Sequence, residues 1–204
     1  MRRVALGIRV HSGWGALVAV SHQNGVMQIL DRRRVPITGT KDAGASQPYH
    51  AARNLQITEA EVFIANAFST AQATAASALH EVIDELLNQQ YQVTGCAILM
   101  AAGRTLPPLE KILSAHPLLH TAEGQFFREA FAKACESNSI PVTKIKERDL
   151  EIALKEKFGR SAARIKKKVQ LLSHEIGSPW TTDQKLATQA ALLLLPSEKK
   201  LQRK

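Results

Sequence analysis

The sequence predicts an α/β domain with a mixed five-stranded sheet, a three-strand antiparallel meander plus two parallel strands, flanked by helices. Three observations predict it. The chain opens with three apolar, β-branched runs separated by short turn signals. Two later apolar runs alternate with segments of helical periodicity, which is how parallel strands are connected. One of these, Val93 to Met100, is apolar at nearly every position, the pattern of a strand covered on both faces.

The elements follow in order. Residues 3–11 read as the first strand, and the small-residue turn Ser12-Gly13 ends it. Trp14 to Val20 is the second strand, and Asn24-Gly25 is a hairpin turn signal before a third strand from Val26 to Ile37. Residues 38–57 are rich in Gly, Ser, Thr, Asp and Pro and read as a long loop, in which Tyr49 and His50 form either a lid or part of a surface loop without function. Thr58 and Glu61 fit a capping box for a long helix to about Gln90, with an inward stripe of Ile64, Phe68, Ala71, Ala75, Leu79, Val82 and Leu86. After the fourth strand comes a short helix at about 109–115, broken at His116-Pro117. Thr121 opens the next helix, which runs to about Ser137. Ile140 to Lys146 is the fifth strand, with Asp149 as cap of the helix after it. A helix from Ser161 to Gly177 follows, and the last begins at Thr181 or Thr182 and ends at Pro196. Residues 1–196 read as one domain, and 197–204 as a basic, disordered tail.

Composition bounds the partners. The 204 residues carry 27 basic and 18 acidic side chains, a net charge of +9, which favours a polyanionic partner. Basic runs stand at Arg32-Arg33-Arg34 and Lys166-Lys167-Lys168; a solvated face is the alternative account of both. Cys96 and Cys135 lie in apolar stretches outside any Cys/His cluster, against a disulfide framework or a zinc–thiolate site. No apolar leader segment or membrane-length run is expected, so the cytoplasm is the default compartment. The glycines at 7, 13 and 15 lack dinucleotide-loop spacing, and no Walker or nucleophile-elbow motif is present.

The element order is that of the ribonuclease H-like fold, and two motifs strengthen the likeness. Leu6-Gly7-Ile8-Arg9-Val10-His11-Ser12-Gly13 resembles the opening strand and turn of Holliday-junction resolvases and actin-like ATPases, which read Gly-Ile-Asp before a small-residue turn. Pro179-Trp180-Thr181-Thr182-Asp183-Gln184-Lys185-Leu186-Ala187 resembles the resolvase final helix, with an acid near its start and an Ala/Leu-rich body. The resemblance implies a two-metal nuclease with carboxylates on strand one, after strand four and on the last helix, because hard divalent ions need charged oxygen ligands. Strand one here offers Arg9, Ala101-Ala102-Gly103-Arg104 follows strand four without an acid, and only Asp183 matches its position.

The candidate site residues follow. Arg9 and His11 share one strand face, where a covered arginine needs a carboxylate or an anion. Glu123 and Asp183 both point inward from first helical turns, where the macrodipole favours an acid. Either could pair with Arg9. His120 adds an imidazole beside Glu123, and Ser12, Tyr49, His50 and Lys185 complete the expected binding set. Trp14, Trp180 and Tyr91 read as packing residues, and His22, His80 and His174 show no metal-ligand spacing.

Three functions fit. In the leading one the chain binds nucleic acid or a phosphorylated ligand around Arg9, His11, Glu123 and Asp183, without two-metal catalysis. In the second it is a nuclease using Mg²⁺ or Mn²⁺ with relocated ligands, Glu123, Asp183 and Glu147 or Asp149. In the third it is a scaffold with a buried Arg9–Asp183 ion pair, and Arg9→Ala costs roughly 3–5 kcal/mol by stranding the acid. Whether the chain is an enzyme and what its oligomeric state is are left open.

Overall fold

A computed structural model of the chain describes residues 1–23, 26–39, 44–103 and 105–196. The Asn24-Gly25 turn, Arg104 and the 197–204 tail lie outside the described residues. Five strands, β1 (Arg2–His11), β2 (Trp14–Gln23), β3 (Val26–Pro36), β4 (Tyr91–Met100) and β5 (Val142–Lys146), form one sheet in the order β3-β2-β1-β4-β5. The first three are antiparallel, and β4 runs parallel to both β1 and β5. This is the predicted mixed sheet, with β1 at its centre.

Alternation along β1 divides the core. Val4, Leu6, Ile8 and Val10 face one way, into a layer made by α2 (Ile57–Asn88) and α4 (His116–Ser137). Phe127 and Phe131 of α4 are fully buried there. Ala5 faces the other way, onto Ala187 and Ala191 of α8 (Thr182–Leu192). Gly7 shares that face, and a Cβ on it would lie 2.7 Å from the Ala187 carbonyl carbon and 3.2 Å from the Ala191 Cβ. Strand and helix backbones are therefore nearly in contact, as only a glycine permits. Arg9 and His11 continue this α8-facing row to the C-terminal end of β1.

Several local readings change. The 38–57 segment contains a helix, α1 (Pro48–Ala52), so Tyr49 and His50 sit on a helical turn and not on an open loop. The box opening α2 lies two residues earlier than predicted: Glu59 Oε2 accepts the Gln56 backbone N–H at 3.3 Å. A short helix does end before His116-Pro117, at Ser114, but the helix after it opens at this pair and not at Thr121. The pair starts α4, because proline is tolerated in a first turn, where its missing N–H has no partner to lose. Asp149 occupies the N-cap of α5 (Leu150–Phe158) without a side-chain capping bond.

The remaining helices are α3 (Leu109–Ser114), α6 (Ala162–Leu171) and α7 (Ser173–Ile176), so the single helix expected over 161–177 is divided near Leu172. Thr181 caps α8, accepting the Gln184 N–H at 3.3 Å while the Gln184 side chain accepts the Thr181 N–H at 2.9 Å. Trp180 and Tyr91 are buried as predicted, and Trp180 Nε1 donates to the Val169 carbonyl at 2.7 Å. Cys96 and Cys135 are buried free thiols, and a hydrogen bond with Cys135 together with burial pushes the Cys96 thiol well up. Among the described residues no helix is long and apolar enough to cross a membrane.

Candidate functional site

Two polar clusters occupy the C-terminal end of β1 and its surroundings, one on each side of the sheet. The first is built on Arg9. Its Nε donates to Glu147 Oε2 at 3.0 Å and its Nη2 to Glu147 Oε1 at 3.1 Å, a two-pronged pairing that suits the planar guanidinium. Its Nη1 donates to Asp183 Oδ1. The other Asp183 oxygen meets His11 Nε2 at 3.0 Å. The Glu147 hydrogen bond holds the Arg9 guanidinium above its already high ordinary value, against the opposing effect of burial. Arg9 therefore joins the end of β5 to the first turn of α8 across the central strand.

The expected Arg9–Asp183 pair is present, but it is not deeply buried. The side chains of Asp183 and Glu147 keep 20% and 41% of their accessible surface. Both acids would regain water if the arginine were removed. Arg9→Ala is thus expected to cost about 1–2 kcal/mol, below the sequence-based figure, because solvent screens what a buried acid would feel. Urea unfolding of both proteins measures it.

Around this centre, His11 stacks on Trp14, with ring centroids 4.3 Å apart and planes 11° apart. The Arg34 guanidinium lies 4.2 Å from the Trp14 ring centroid. Ser12 is exposed at the turn, and Lys185 is half-buried on α8. Arg128, on α4, lies within electrostatic reach of Arg9 and Glu147; burial pulls its guanidinium down, and its Nε is enclosed without a hydrogen-bond partner. The other arginines of the 32–34 run are structural. Arg32 caps backbone carbonyls of Ile176, Gly177 and Pro179, at 2.6 Å to Ile176 and 3.1 Å to Gly177, and Arg33 pairs with Asp31 and Glu85. Lys166 pairs with Glu151 at 3.0 Å.

The second cluster surrounds Glu123, and here the expectation is corrected. Glu123 does not meet Arg9 or Asp183. Arg9 and Asp183 lie on the α8 side of the sheet, whereas Glu123 belongs to α4 on the opposite side. Only 1% of Glu123 is exposed, and its Oε1 accepts His50 Nδ1–H at 2.7 Å and the His50 backbone N–H at 3.2 Å. Its Oε2 lies 3.9 Å from His120 Nδ1. His120 Nε2 lies 3.1 Å from His116 Nε2. Tyr49 packs edge-on against Phe126 beside this cluster, and burial pushes its phenol up.

The structure thus separates the predicted set. It brings Arg9, His11 and Asp183 together with Glu147, and Glu123 together with His50 and His120. Sequence reading missed Arg128, whose signal is weak, and His116, whose signal is the four-residue interval to His120. A surface cavity of about 780 Å³ belongs to neither cluster; its lining includes Met27, Phe158, Arg164 and Lys168.

No protein-family model matches the sequence, and no curated protein matches it significantly. Solved structures do match. The chain is similar to RuvC of Thermus thermophilus in complex with a Holliday junction substrate, at 12% identity and a TM-score of 0.54, over 93% of this chain and 91% of that one. The separate Thermus thermophilus RuvC structure matches over the same shares, at 12% identity with a TM-score of 0.51. A member of the Ppx/GppA family from Aquifex aeolicus matches at 12% identity and a TM-score of 0.37, over 76% of this chain and 38% of that one. With its β3-β2-β1-β4-β5 sheet flanked by helices, the chain has the ribonuclease H-like fold that the sequence resemblance implied.

Proposed function

We propose that the protein binds nucleic acid through the C-terminal edge of β1, β4 and β5 without two-metal catalysis. One observation carries the reading: the cation Arg9 is hydrogen-bonded to both Glu147 and Asp183. A divalent ion bound by these two acids would have to displace a tethered guanidinium and then lie against it. The relocated-ligand nuclease reading loses a second member as well, since Glu123 lies across the sheet among imidazoles.

The same edge supports anion binding. Arg128 is half-buried with an unsatisfied Nε, and a phosphate oxygen would supply the missing acceptor. The Arg34 guanidinium, lying over the Trp14 ring, adds a positive charge beside it. Ends of strands are where open α/β sheets place ligands. The structural neighbour is a RuvC in complex with a Holliday junction, so the fold accommodates branched DNA in at least one protein.

The test is fluorescence anisotropy with a labelled four-way junction, duplex DNA and an RNA/DNA hybrid, from about 50 to about 200 mM salt. Binding should weaken linearly on a log–log plot. Arg128→Gln and Arg34→Gln should each lower the slope by about one if each contacts one phosphate. Absence of binding even at the lowest salt overturns the reading. Mn²⁺-dependent cleavage that is lost in Asp183→Ala overturns its non-catalytic part.

A further inference from the structure

We propose that His50, His116 and His120 form a mononuclear Zn²⁺ site, with Glu123 as the carboxylate that orients two of the three imidazoles. This inference stands apart from the nucleic-acid reading and shares no residue with the Arg9 cluster.

One ring nitrogen from each histidine lies within 4.8 Å of the others. A tetrahedral ion with Zn–N bonds of about 2.0–2.1 Å sets its ligand nitrogens about 3.4 Å apart. The His116 and His120 Nε2 atoms, 3.1 Å apart, are already near that spacing. They come from adjacent turns of α4, where residues four apart lie on one face. His50 arrives from α1, its ring centroid 5.2 Å from that of His116 and 4.8 Å from that of His120. His116 and His120 are exposed, so small rotations of their rings can complete the closure.

The Glu123 carboxylate is the independent observation. It is an almost fully buried acid, and among the described residues its side-chain ion-pair partners are His50 and His120 alone. A carboxylate accepting from Nδ1 fixes the tautomer that leaves the Nε2 lone pair free, and it raises the ring's basicity as a ligand. For His50 this arrangement is complete at 2.7 Å, with the backbone N–H at 3.2 Å adding a second hold. The Glu123 charge also answers an electrostatic objection. A cation at the first turn of α4 opposes the helix dipole, and a buried anion one turn on offsets that repulsion.

Three imidazoles select a borderline ion such as Zn²⁺ over Mg²⁺ or Mn²⁺, which prefer oxygen. Three protein ligands leave a fourth position for water, the pattern of an open site and not of a closed structural one. Because His50 lies on α1 and the others on α4, the bound ion would tie the 44–52 segment to α4.

The experiment uses the full chain without a histidine tag. Zn²⁺ is titrated against a chromophoric chelator, and Co²⁺ is added separately for its visible absorption. The expected result is one Zn²⁺ per chain and the intense bands of tetrahedral Co²⁺. His116→Ala and His120→Ala change exposed residues and should keep the fold by circular dichroism, yet each should weaken Zn²⁺ binding at least tenfold. Glu123→Gln should weaken it by about 10–100-fold, as loss of an orienting carboxylate does. His80→Ala and His174→Ala should bind as the parent does. The proposal is overturned by any of three results: no stoichiometric Zn²⁺, unchanged affinity in His116→Ala and His120→Ala, or a weak octahedral Co²⁺ spectrum.

Discussion

Gly7→Ala is expected to lower stability by about 3 kcal/mol, at the upper end of overpacking penalties. The added methyl would overlap the Ala187 carbonyl oxygen, and its neighbours are backbone atoms of α8 and the Ala191 Cβ. Neither can rotate away as a long side chain would. Relief requires α8 to move off the central strand, which opens the layer containing Ala5, Val18, Ala187 and Ala191. For a chain of this size the loss corresponds to a fall of roughly 6–12 °C in the melting midpoint. The same shift would pull Asp183 away from Arg9, so any binding at that edge should weaken even below the melting temperature. A Gly7→Ala protein that melts with the parent would mean that α8 does not sit against β1 as described.

Arg9→Asp is the second large effect, and its sign depends on the solution. The change replaces the cation between Glu147 and Asp183 with a third carboxylate. Without divalent ions the three acids repel, and stability should fall by about 3 kcal/mol. This exceeds the effect of Arg9→Ala, because repulsion is added to the lost pairs. Three converging carboxylates are also a ligand set for a hard cation. Mn²⁺ at a hundred times its dissociation constant would return about 2.7 kcal/mol. Thermal melts with and without millimolar Mn²⁺ separate the outcomes. A variant whose melting temperature Mn²⁺ does not raise would show that the acids cannot converge on an ion, and Arg9 would then be no replacement for a metal. The parent should be far less responsive at this site, since its acids already hold a guanidinium.

Much of the architecture was legible because it follows from simple patterns. Val93 to Met100 had to be a covered strand, and it hydrogen-bonds to β1 on one side and β5 on the other. An ion pair of Arg9 was legible too, but its partner was left open between Asp183 and Glu123, and Glu147, which holds two of its nitrogens, was not read as one. The placement of Glu123 was not legible. Periodicity states that a residue points inward, but not to which side of the sheet its helix packs, and α4 chose the side away from Arg9. The histidine cluster was hidden by a boundary. With His116-Pro117 taken as a helix breaker, His116 and His120 belong to different elements; with proline in the first turn of α4, they stand one turn apart. His50 could not be assigned by any local rule, because its partner is 73 residues away.

The position of β1 also bears on how the chain acquires its shape as it is made. The hairpins β1–β2 and β2–β3 can pair early, since their partners are close in sequence. The other edge of β1 has to wait for β4, and its α8 face waits until residues 182–192 have emerged. Until then β1 presents first an unpaired edge and, once β4 has paired with it, a still uncovered face, the features that invite pairing with a second chain. Arg9 keeps a charge on that face until Asp183 has been synthesised.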